Sequence, residues 1–236
     1  MVKKKKEHKQ TALRRLITGI NPRSVVSEQF RTIRTNINFS LPDTELQTIL
    51  FTSSSTGEGK STTAANVAIV FAQEGKKVLL IDADMRKPTM HFTFQTTNSP
   101  GLSNILTKQW SLEDVRRKTE FTGLDLVTCG PLPPNPAELL SSKSMDALLK
   151  EGKKEYDIII LDAPPVLLVA DSQILSNKCD GTILVVSSGK TEKRSIVKAK
   201  EALQTSKACI IGAVLNNFKL EKNHYYSQQY NLVEHK

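Results

Sequence analysis

Cysteines and long apolar runs are both scarce in this sequence. The 236 residues include three cysteines, Cys129, Cys179 and Cys209, which lie far apart and form no Cys-x-x-Cys pair. An odd number of scattered thiols argues against a disulfide framework and against a zinc site, and it favours the reducing cytoplasm. No stretch reaches the roughly 18 consecutive apolar residues of a membrane-spanning helix, and the start has no apolar core of a signal peptide. We therefore expect a cytoplasmic protein.

Aromatic residues are few, and the tyrosines are unevenly distributed. Three of the four tyrosines, Tyr225, Tyr226 and Tyr230, fall within residues 223–230. The surrounding segment is rich in Asn, Gln, Ser and His and has no apolar period, so residues 221–236 are predicted to form a flexible tail. Judged from this segment alone, the rings could dock on a partner while their hydroxyls stay solvated, or they could have no role.

Acidic residues are outnumbered, since 33 Lys and Arg against 24 Asp and Glu give a net charge of +9. Part of this excess lies in residues 2–9, VKKKKEHK, with Arg14 and Arg15 soon after. A basic arm over residues 1–20 could contact an anionic surface such as lipid headgroups, or it could be merely solvated. Both interpretations stay open.

Apolar strands alternate with helical segments through residues 21–220, the predicted folded domain. Because uninterrupted apolar strands are buried on both faces, the pattern predicts an α/β fold with a mainly parallel central sheet and helices on both faces. One extra helix is predicted at 24–39, and residues 88–121 have a weaker pattern. The predicted strands are 48–54, 77–84, 124–130, 156–165, 181–189 and 208–216, and the predicted core helices are 61–75, 135–152 and 192–205.

A phosphate-binding loop is predicted at residues 53–62, SSSTGEGKST. The segment follows a strand and opens a helix, as a P-loop requires, although Ser54 stands where the pattern has its first glycine. Backbone N–H groups and the helix N-terminus would surround phosphate oxygens, and Lys60 would reach the β- and γ-phosphates of ATP. The predicted nucleotide-binding residues are Thr56, Gly57, Glu58, Gly59, Lys60, Ser61 and Thr62.

Three acids end two predicted strands on the side where the P-loop lies. Asp82 and Asp84 close the segment VLLIDAD, and Asp162 closes IIILD. Mg²⁺ takes oxygen ligands and often keeps waters between itself and carboxylates. The Ser61 hydroxyl of the P-loop and the carboxylates of these two strand ends therefore predict a magnesium site, with Asp162 as the Walker B acid.

Two further patterns concern the base of the nucleotide. Residues 177–180, NKCD, match a guanine-reading motif, but they precede a strand instead of following one, so adenine is predicted. Asn216 and Asn217 follow the last strand and could read the edge of the base, or they could be turn residues.

The combination of motifs resembles the bacterial tyrosine kinases, which are P-loop kinases of capsule and exopolysaccharide synthesis. The resemblance covers nearly the whole chain. The motifs that support it are the Walker A′ segment VLLIDADMRKP at 78–88, EQFRTIR at 28–34, EGKSTTAANVA at 58–68, GPLPPNPAELL at 130–140, DAPP at 162–165 and the tyrosine-rich tail.

The resemblance implies an ATP- and Mg²⁺-dependent protein-tyrosine kinase that phosphorylates the tail of a neighbouring subunit. Lys60, Asp82 and Asp84 would be catalytic, with Asp82 favoured as the base, although the choice between the two Walker A′ acids stays open. Ser61, Asp84 and Asp162 would then hold the magnesium ion. Tyr225, Tyr226 and Tyr230 would be the acceptors.

The resemblance also implies partners. Glu28, Arg31 and Arg34 fall within about a third of a helix circumference, and they would hold a ring of subunits together. A separate transmembrane activator would recruit the chain to the inner face of the membrane, and a cognate tyrosine phosphatase and no nucleic acid are expected.

Two alternatives to a kinase stay open at this point. A partition or division-site ATPase would hydrolyse nucleotide without forming phosphotyrosine. Those ATPases carry a lysine early in the P-loop, where this chain has Ser55. A nucleotide-gated scaffold would bind nucleotide without turnover.

Overall fold

Within residues 16–41 and 46–218, which a computed structural model describes, a seven-stranded sheet forms the centre of the protein. Its strands in chain order are β1 Thr48–Ser53, β2 Val78–Asp82, β3 Arg117–Lys118, β4 Leu124–Val127, β5 Ile158–Asp162, β6 Gly181–Ser187 and β7 Ile210–Asn216. Their spatial order is β3-β4-β2-β5-β1-β6-β7. Neighbouring strands are parallel, except that β3 pairs antiparallel with β4 at one edge. The predicted mainly parallel sheet is confirmed.

Helices connect these strands. In chain order they are α1 Ile17–Ile20, α2 Val25–Ser40, α3 Lys60–Gln73, α4 Met90–Thr93, α5 Leu102–Leu106, α6 Leu112–Val115, α7 Pro136–Ser141, α8 Lys143–Glu155, α9 Asp171–Lys178 and α10 Lys193–Thr205.

The two faces of the sheet bury different side chains. Leu50 and Leu79 belong to one core, which they share with α8. Ile49 and Leu80 belong to a second core, which they share with α3. Successive side chains of a strand point to opposite faces, so a strand covered on both sides must be apolar throughout. The prediction of helices on both faces is confirmed.

Helix α3 is buried on nearly all sides. Residues 63–72 are all buried, and the chain leaves the helix through Gly75 at a left-handed φ of +92°. A helix without a solvent face cannot move relative to the sheet without exposing core side chains. The start of α3, which carries the end of the phosphate loop, is therefore firmly placed.

The extra helix predicted at 24–39 is observed as α2. The Ser24 hydroxyl accepts the backbone N–H of Ser27 at 3.1 Å, which satisfies one free amide of the first turn. The helix packs against α3, and its buried residues include Ile37.

The prediction of a single helix at 135–152 is wrong, because the segment folds as two helices, α7 and α8. Ser142 between them is extended, with φ −67° and ψ 158°, and its hydroxyl donates to the carbonyl of Leu139 at 2.7 Å. Serine hydroxyls compete in this way for backbone groups and interrupt helices. The break lets Leu140 of α7 and Met145 of α8 both enter the first core.

The segment of weak pattern at 88–121 contains three short helices, α4, α5 and α6, and the two-residue strand β3. Elements of four or five residues show too little of a period to be recognised in a sequence.

Residues 177–180 lie at the amino ends of the strands, away from the carboxyl ends where such sheets bind ligands. Asp180 accepts the backbone N–H of Thr48 and its hydroxyl, both at 2.8 Å, and Lys153 donates to it at 2.9 Å. Although burial acts to raise it, the pKa of Asp180 is lowered by the hydrogen bonds from Lys153 and Thr48. Asp180 thus joins the starts of β1 and β6, and the stretch has no part in reading a base.

In the two ranges that the structure covers, no helix combines the length and the apolar character needed to cross a bilayer.

Candidate active site

Three loops meet where the parallel strands β1, β2 and β5 end. The loop 54–59 follows β1, β2 ends at Asp82 and β5 ends at Asp162. Asp82 and Asp162 are register partners on neighbouring strands. The predicted meeting of the acids with the P-loop is confirmed, because parallel strands bring their carboxyl ends to one edge.

The loop 54–59 depends on two glycines. Gly57 and Gly59 have left-handed φ angles of +74° and +93°, a region that residues with a Cβ rarely adopt. A Cβ at Gly59 would also lie only 1.9 Å from Nδ2 of Asn216. Lys60 then begins the 14-residue helix α3, whose first amides open onto the loop.

Side chains hold the rest of the loop. Glu58 is 1% exposed, and its carboxylate accepts the Ser54 hydroxyl at 2.9 Å, the Ser55 amide at 3.0 Å and the Thr191 hydroxyl. Ser54, which departs from the glycine of the usual pattern, therefore has a partner inside the loop. Because the Glu58 side chain faces the protein, only its backbone is left for a nucleotide.

Asn216 and Asn217 support neighbouring loops. Nδ2 of Asn216 donates to the Glu58 carbonyl at 2.9 Å, and Nδ2 of Asn217 donates to the Ser187 hydroxyl at 3.0 Å. Asn217 also has a left-handed φ of +57°. These contacts fit the turn interpretation, and they engage the amide nitrogens that a base reader would need.

Lys60 lies among the three strand-end acids. Its Nζ is 2.8 Å from Oδ2 of Asp84 and 3.3 Å from Oδ1 of Asp162, and it also donates to the Ser61 hydroxyl at 3.2 Å. The structure thus brings Lys60, Ser61, Asp84 and Asp162 together.

Asp82 and Asp84 are held by the loop that follows β2. Oδ2 of Asp82 accepts the amides of Thr89 at 3.0 Å and Met90 at 2.9 Å. Oδ1 of Asp84 accepts the amide of Lys87 at 2.9 Å. Asp84 lines the cavity beside the P-loop, whereas Asp82 is fully buried beneath it.

Three carboxylates share one ammonium group, and the pKa values of Asp82, Asp162 and Lys60 reflect this imbalance. Burial, followed by repulsion from Asp162, raises the pKa of Asp82 to about 7. Burial also raises the pKa of Asp162. Burial alone would lower the pKa of Lys60, but the charges of Asp162 and Asp84 outweigh it and raise the pKa. The site therefore has an excess of negative charge that a cation would neutralise.

The residues present fit Mg²⁺ together with a nucleotide. Oδ2 of Asp162 is buried and has no hydrogen-bond partner in the described residues. Those same residues contain no group of three His, Cys, Asp or Glu side chains that could hold a metal. Mg²⁺ does not need such a cage, because one or two carboxylates, waters and substrate phosphates complete its shell. The cavity of about 430 Å³ beside Asp84 offers the room.

A second ion pair at the cavity was not predicted from the sequence. Nε and Nη2 of Arg86 donate to the two carboxylate oxygens of Asp171 at 2.9 and 3.0 Å. Arg86 lies four residues after Asp82, and Asp171 begins α9. Arg86 stands within the Walker A′ segment, but no feature of the sequence identifies Asp171 as its partner.

The predicted assembly residues make contacts within the chain. Arg31 pairs with Glu28 and donates to the Pro22 carbonyl at 2.7 Å. Nη1 of Arg34 donates to the Val70 carbonyl at 3.0 Å, so this side chain fastens α2 to α3. Glu28 is half exposed, and Arg34 is mostly covered.

Two predicted segments fall wholly or largely outside the described residues. The acceptors Tyr225, Tyr226 and Tyr230 lie beyond residue 218, and most of the basic arm 1–20 precedes residue 16.

Comparison with known proteins decides the family. Residues 46–220 match the model of a family described as an AAA domain. The chain is 54% identical over 213 residues to the tyrosine-protein kinase YwqD of Bacillus subtilis, with 90% of each chain covered. It is 38% identical over 222 residues to the putative tyrosine-protein kinase CapB of Staphylococcus aureus, with 94% of this chain and 97% of CapB covered. The chain belongs to the bacterial tyrosine kinases.

Solved structures agree with this family. The bacterial tyrosine kinase fold of this chain matches the kinase domain of the Escherichia coli tyrosine kinase ETK with a TM-score of 0.82 and 30% identity, over 89% of this chain and 84% of that one. The septum site-determining protein MinD of Pyrococcus horikoshii, complexed with Mg-ADP, reaches a TM-score of 0.63 at 21% identity, over 78% of this chain and 76% of that one. That likeness shows the P-loop fold alone. The chain is thus a protein-tyrosine kinase, and the partition-type alternative has no support beyond the fold.

Proposed function

We propose that this kinase transfers the terminal phosphoryl group of Mg·ATP to Tyr225, Tyr226 and Tyr230 of a neighbouring subunit. In doing so it would regulate capsule or exopolysaccharide synthesis together with a transmembrane activator. The observation that carries the proposal is Lys60, held between Asp84 and Asp162 beneath the phosphate loop. Phosphoryl transfer depends mainly on such positioned charges.

The phosphate side of the site would be formed by the loop and the start of α3. Backbone amides of residues 56–62 would bind phosphate oxygens, and Lys60 would offer its charge to the phosphoryl group. Ser61, Asp84 and Asp162 would hold the magnesium ion. When bound, Mg²⁺ supplies charge neutralisation and orientation of the phosphates.

The acceptor side needs a base, because a tyrosine hydroxyl has a pKa near 10. Asp82 and Asp84 are the candidates, and Asp82 is favoured. A base whose pKa lies near the operating pH is the most effective, and that of Asp82 lies at about 7. Asp84 would then serve the metal, in keeping with its place on the cavity wall.

Phosphorylation of the tail is supported by the chain's tyrosine content. Only Tyr156 lies outside the tail. It is 5% exposed, and its hydroxyl donates to Asp125 at 2.8 Å, so it is a poor acceptor. Each phosphate would add roughly −1.5 to −2 charges to a tail near an acidic site, which would favour its release.

Replacing Tyr225, Tyr226 and Tyr230 together by phenylalanine is expected to remove most of the phosphotyrosine formed with Mg·ATP and the activator, because the acceptor oxygens are lost while the rings remain. Mass spectrometry of the labelled chain checks this, with Tyr156→Phe as the matched control that keeps its label. Full labelling elsewhere in the triple variant would reject the tail as the main acceptor.

Assembly through α2 would bring one subunit's tail to another's site and raise its effective concentration there. Glu28 and Arg31 expose about 49% and 29% of their side chains, which leaves them accessible to a neighbour.

Changing Glu28, Arg31 and Arg34 together to alanine is expected to reduce the mass of the particle in light scattering. Arg34 also holds α3, so its loss alone could loosen the fold. The Glu28→Ala and Arg31→Ala pair, checked by thermal unfolding, therefore serves as the companion variant. An unchanged particle mass in both variants would reject the proposed assembly of subunits through α2.

The activator is proposed as a separate protein. A putative tyrosine-protein kinase in the cps region of Klebsiella pneumoniae is 35% identical over 201 residues, and the match spans only 28% of that longer protein. In such a relative the kinase part is joined to further sequence. We propose that a transmembrane activator recruits this kinase from the cytoplasm to the inner face of the membrane, and that a tyrosine phosphatase reverses the modification.

A further inference from the structure

The cavity beside the P-loop has a second wall that the proposed roles leave unused. The P-loop and Asp84 supply part of its lining, and the loops after β2 and β5 supply the rest, which forms the second wall. The lining residues of that second wall are Arg86, Lys87, Thr89, Pro164, Pro165, Leu168 and Val169.

The position of this wall suits an acceptor. In phosphoryl transfer the attacking and leaving oxygens lie roughly in line. Because the P-loop side holds the leaving phosphates, the attacking hydroxyl must enter from the side away from the P-loop. A tyrosine ring entering there would pass along the second wall.

The side chain of Arg86, which belongs to this wall, is held in place by Asp171. Asp171 is fully buried and binds Arg86 through both carboxylate oxygens, yet 44% of the Arg86 side chain stays exposed. In the described part of the chain, no other carboxylate lies within 4.0 Å of Arg86. A guanidinium held along one edge keeps its planar face free, and such faces stack on aromatic rings.

Leu168 also belongs to the second wall, three residues before Asp171, and the residue is 61% exposed. Its loop is anchored, because the Pro164 carbonyl accepts the hydroxyls of Thr52, at 2.7 Å, and Ser172. The amide of Val166 also donates to the Ser53 carbonyl at 2.8 Å. A large apolar side chain on a fixed loop at the mouth of a polar cavity is suited to contact with a ring.

We propose that Arg86 and Leu168 form the subsite that receives the aromatic ring of the acceptor tyrosine, with Asp171 as the positioning residue of Arg86. This inference rests on the proposed function in taking the cavity as the site of transfer. It explains selection of tyrosine over serine, because a hydroxymethyl side chain has no ring to lie along this wall.

The test uses the full chain with Tyr225, Tyr226 and Tyr230 changed to phenylalanine, so that phosphate goes only to added acceptors. The acceptors are a peptide of residues 219–236 and a copolymer of glutamate and tyrosine. KM and kcat are measured for each acceptor at saturating Mg·ATP with activator present. Affinity for Mg·ATP is measured separately by calorimetry.

Leu168→Ala is expected to raise the acceptor KM about fivefold, and Arg86→Lys to lower kcat/KM about tenfold, the size of ring and cation contacts. Asp171→Asn should act in the same direction as Arg86→Lys. The dissociation constant for Mg·ATP should stay within about twofold of the parent value, as expected for contacts made with the acceptor alone. The control is Leu132→Ala, which removes a leucine that is 59% exposed and does not line the cavity.

Unchanged acceptor KM and kcat/KM in Leu168→Ala and Arg86→Lys, or weaker binding of Mg·ATP, would overturn the subsite. Because Asp171 is buried, the kinetics of Asp171→Asn are interpreted only if thermal unfolding shows that the variant is folded. If it is not folded, Leu168→Ala and Arg86→Lys alone test the subsite. If the chain with only the three tail substitutions labels the copolymer but not the tail peptide, the tail is rejected as the acceptor. The subsite variants are then still compared with the copolymer as acceptor. If the parent labels neither acceptor, both proposals fail.

Discussion

Replacing Lys60 by methionine is expected to reduce ATP-dependent formation of phosphotyrosine by at least about a hundredfold, as when a positioned electrostatic donor is removed. The ammonium group lies 2.8 Å from Asp84 and 3.3 Å from Asp162, and methionine keeps its bulk but not its charge. Three buried acids would then face the phosphates without a counter-charge. Phosphotyrosine immunoblotting and mass spectrometry measure the loss.

The control is Lys150→Met, which removes an exposed lysine of α8 far along the chain from the P-loop and should leave transfer unchanged. Thermal unfolding of Lys60→Met separates lost transfer from lost folding, since removing one partner of a buried ion pair is itself destabilising. A folded Lys60→Met chain with normal transfer would mean that the phosphate site lies elsewhere.

Asp82→Asn is expected to lower kcat for transfer to tyrosine by about 10²- to 10⁴-fold, the contribution of a positioned general base. Asparagine keeps the oxygen that accepts the amides of Thr89 and Met90, so the loop after β2 retains its anchor. Asp84→Asn is the matched comparison. It should weaken the magnesium dependence of the rate, whereas Asp82→Asn should leave that dependence in place.

The pH dependence of the free energy of unfolding gives a second test of the role of Asp82. Burial raises the pKa of Asp82 to about 7 in the folded chain, and the unfolded value is about 4. Between these values the unfolded chain has released a proton that the folded chain holds, so this group lowers the free energy of unfolding as pH rises. Below about pH 4 or above about pH 7 both states carry the same protonation, and the slope from this group vanishes.

Asp82→Asn should therefore remove a decrease in stability between about pH 4 and pH 7, measured by urea unfolding of the nucleotide-free chain at intervals across that range. Identical pH profiles for the parent and for Asp82→Asn would show that Asp82 ionises normally, and it would then lose its claim to be the base.

The motif residues could be placed from the sequence because their geometry follows from strand direction. Lys60, Asp84 and Asp162 each sit at a strand end or a helix start, and a parallel sheet brings such ends together. The partners of these residues could not be placed in the same way. Glu58 meets Thr191 and Arg86 meets Asp171 across 133 and 85 residues of sequence, and no local pattern records such a pairing.

Short elements and the exact ends of helices also could not be predicted from the sequence. The break at Ser142 depends on one hydroxyl that bonds the Leu139 carbonyl, and propensity alone does not distinguish this from a continuous helix. The two-residue strand β3 forms only because β4 offers an edge. Asn216 gave no signal of supporting the P-loop, since an asparagine after a strand fits any turn.

The direction of β7 has a consequence for what lies beyond it. β7 is parallel to β6 and hence to β1, so the chain emerges from Asn216 on the catalytic side of the protein. An antiparallel last strand of the same seven residues would have delivered the chain to the far side, roughly 23 Å away along the strand axis. The topology thus places the last described residues beside the P-loop, where Asn216 donates to the carbonyl of Glu58.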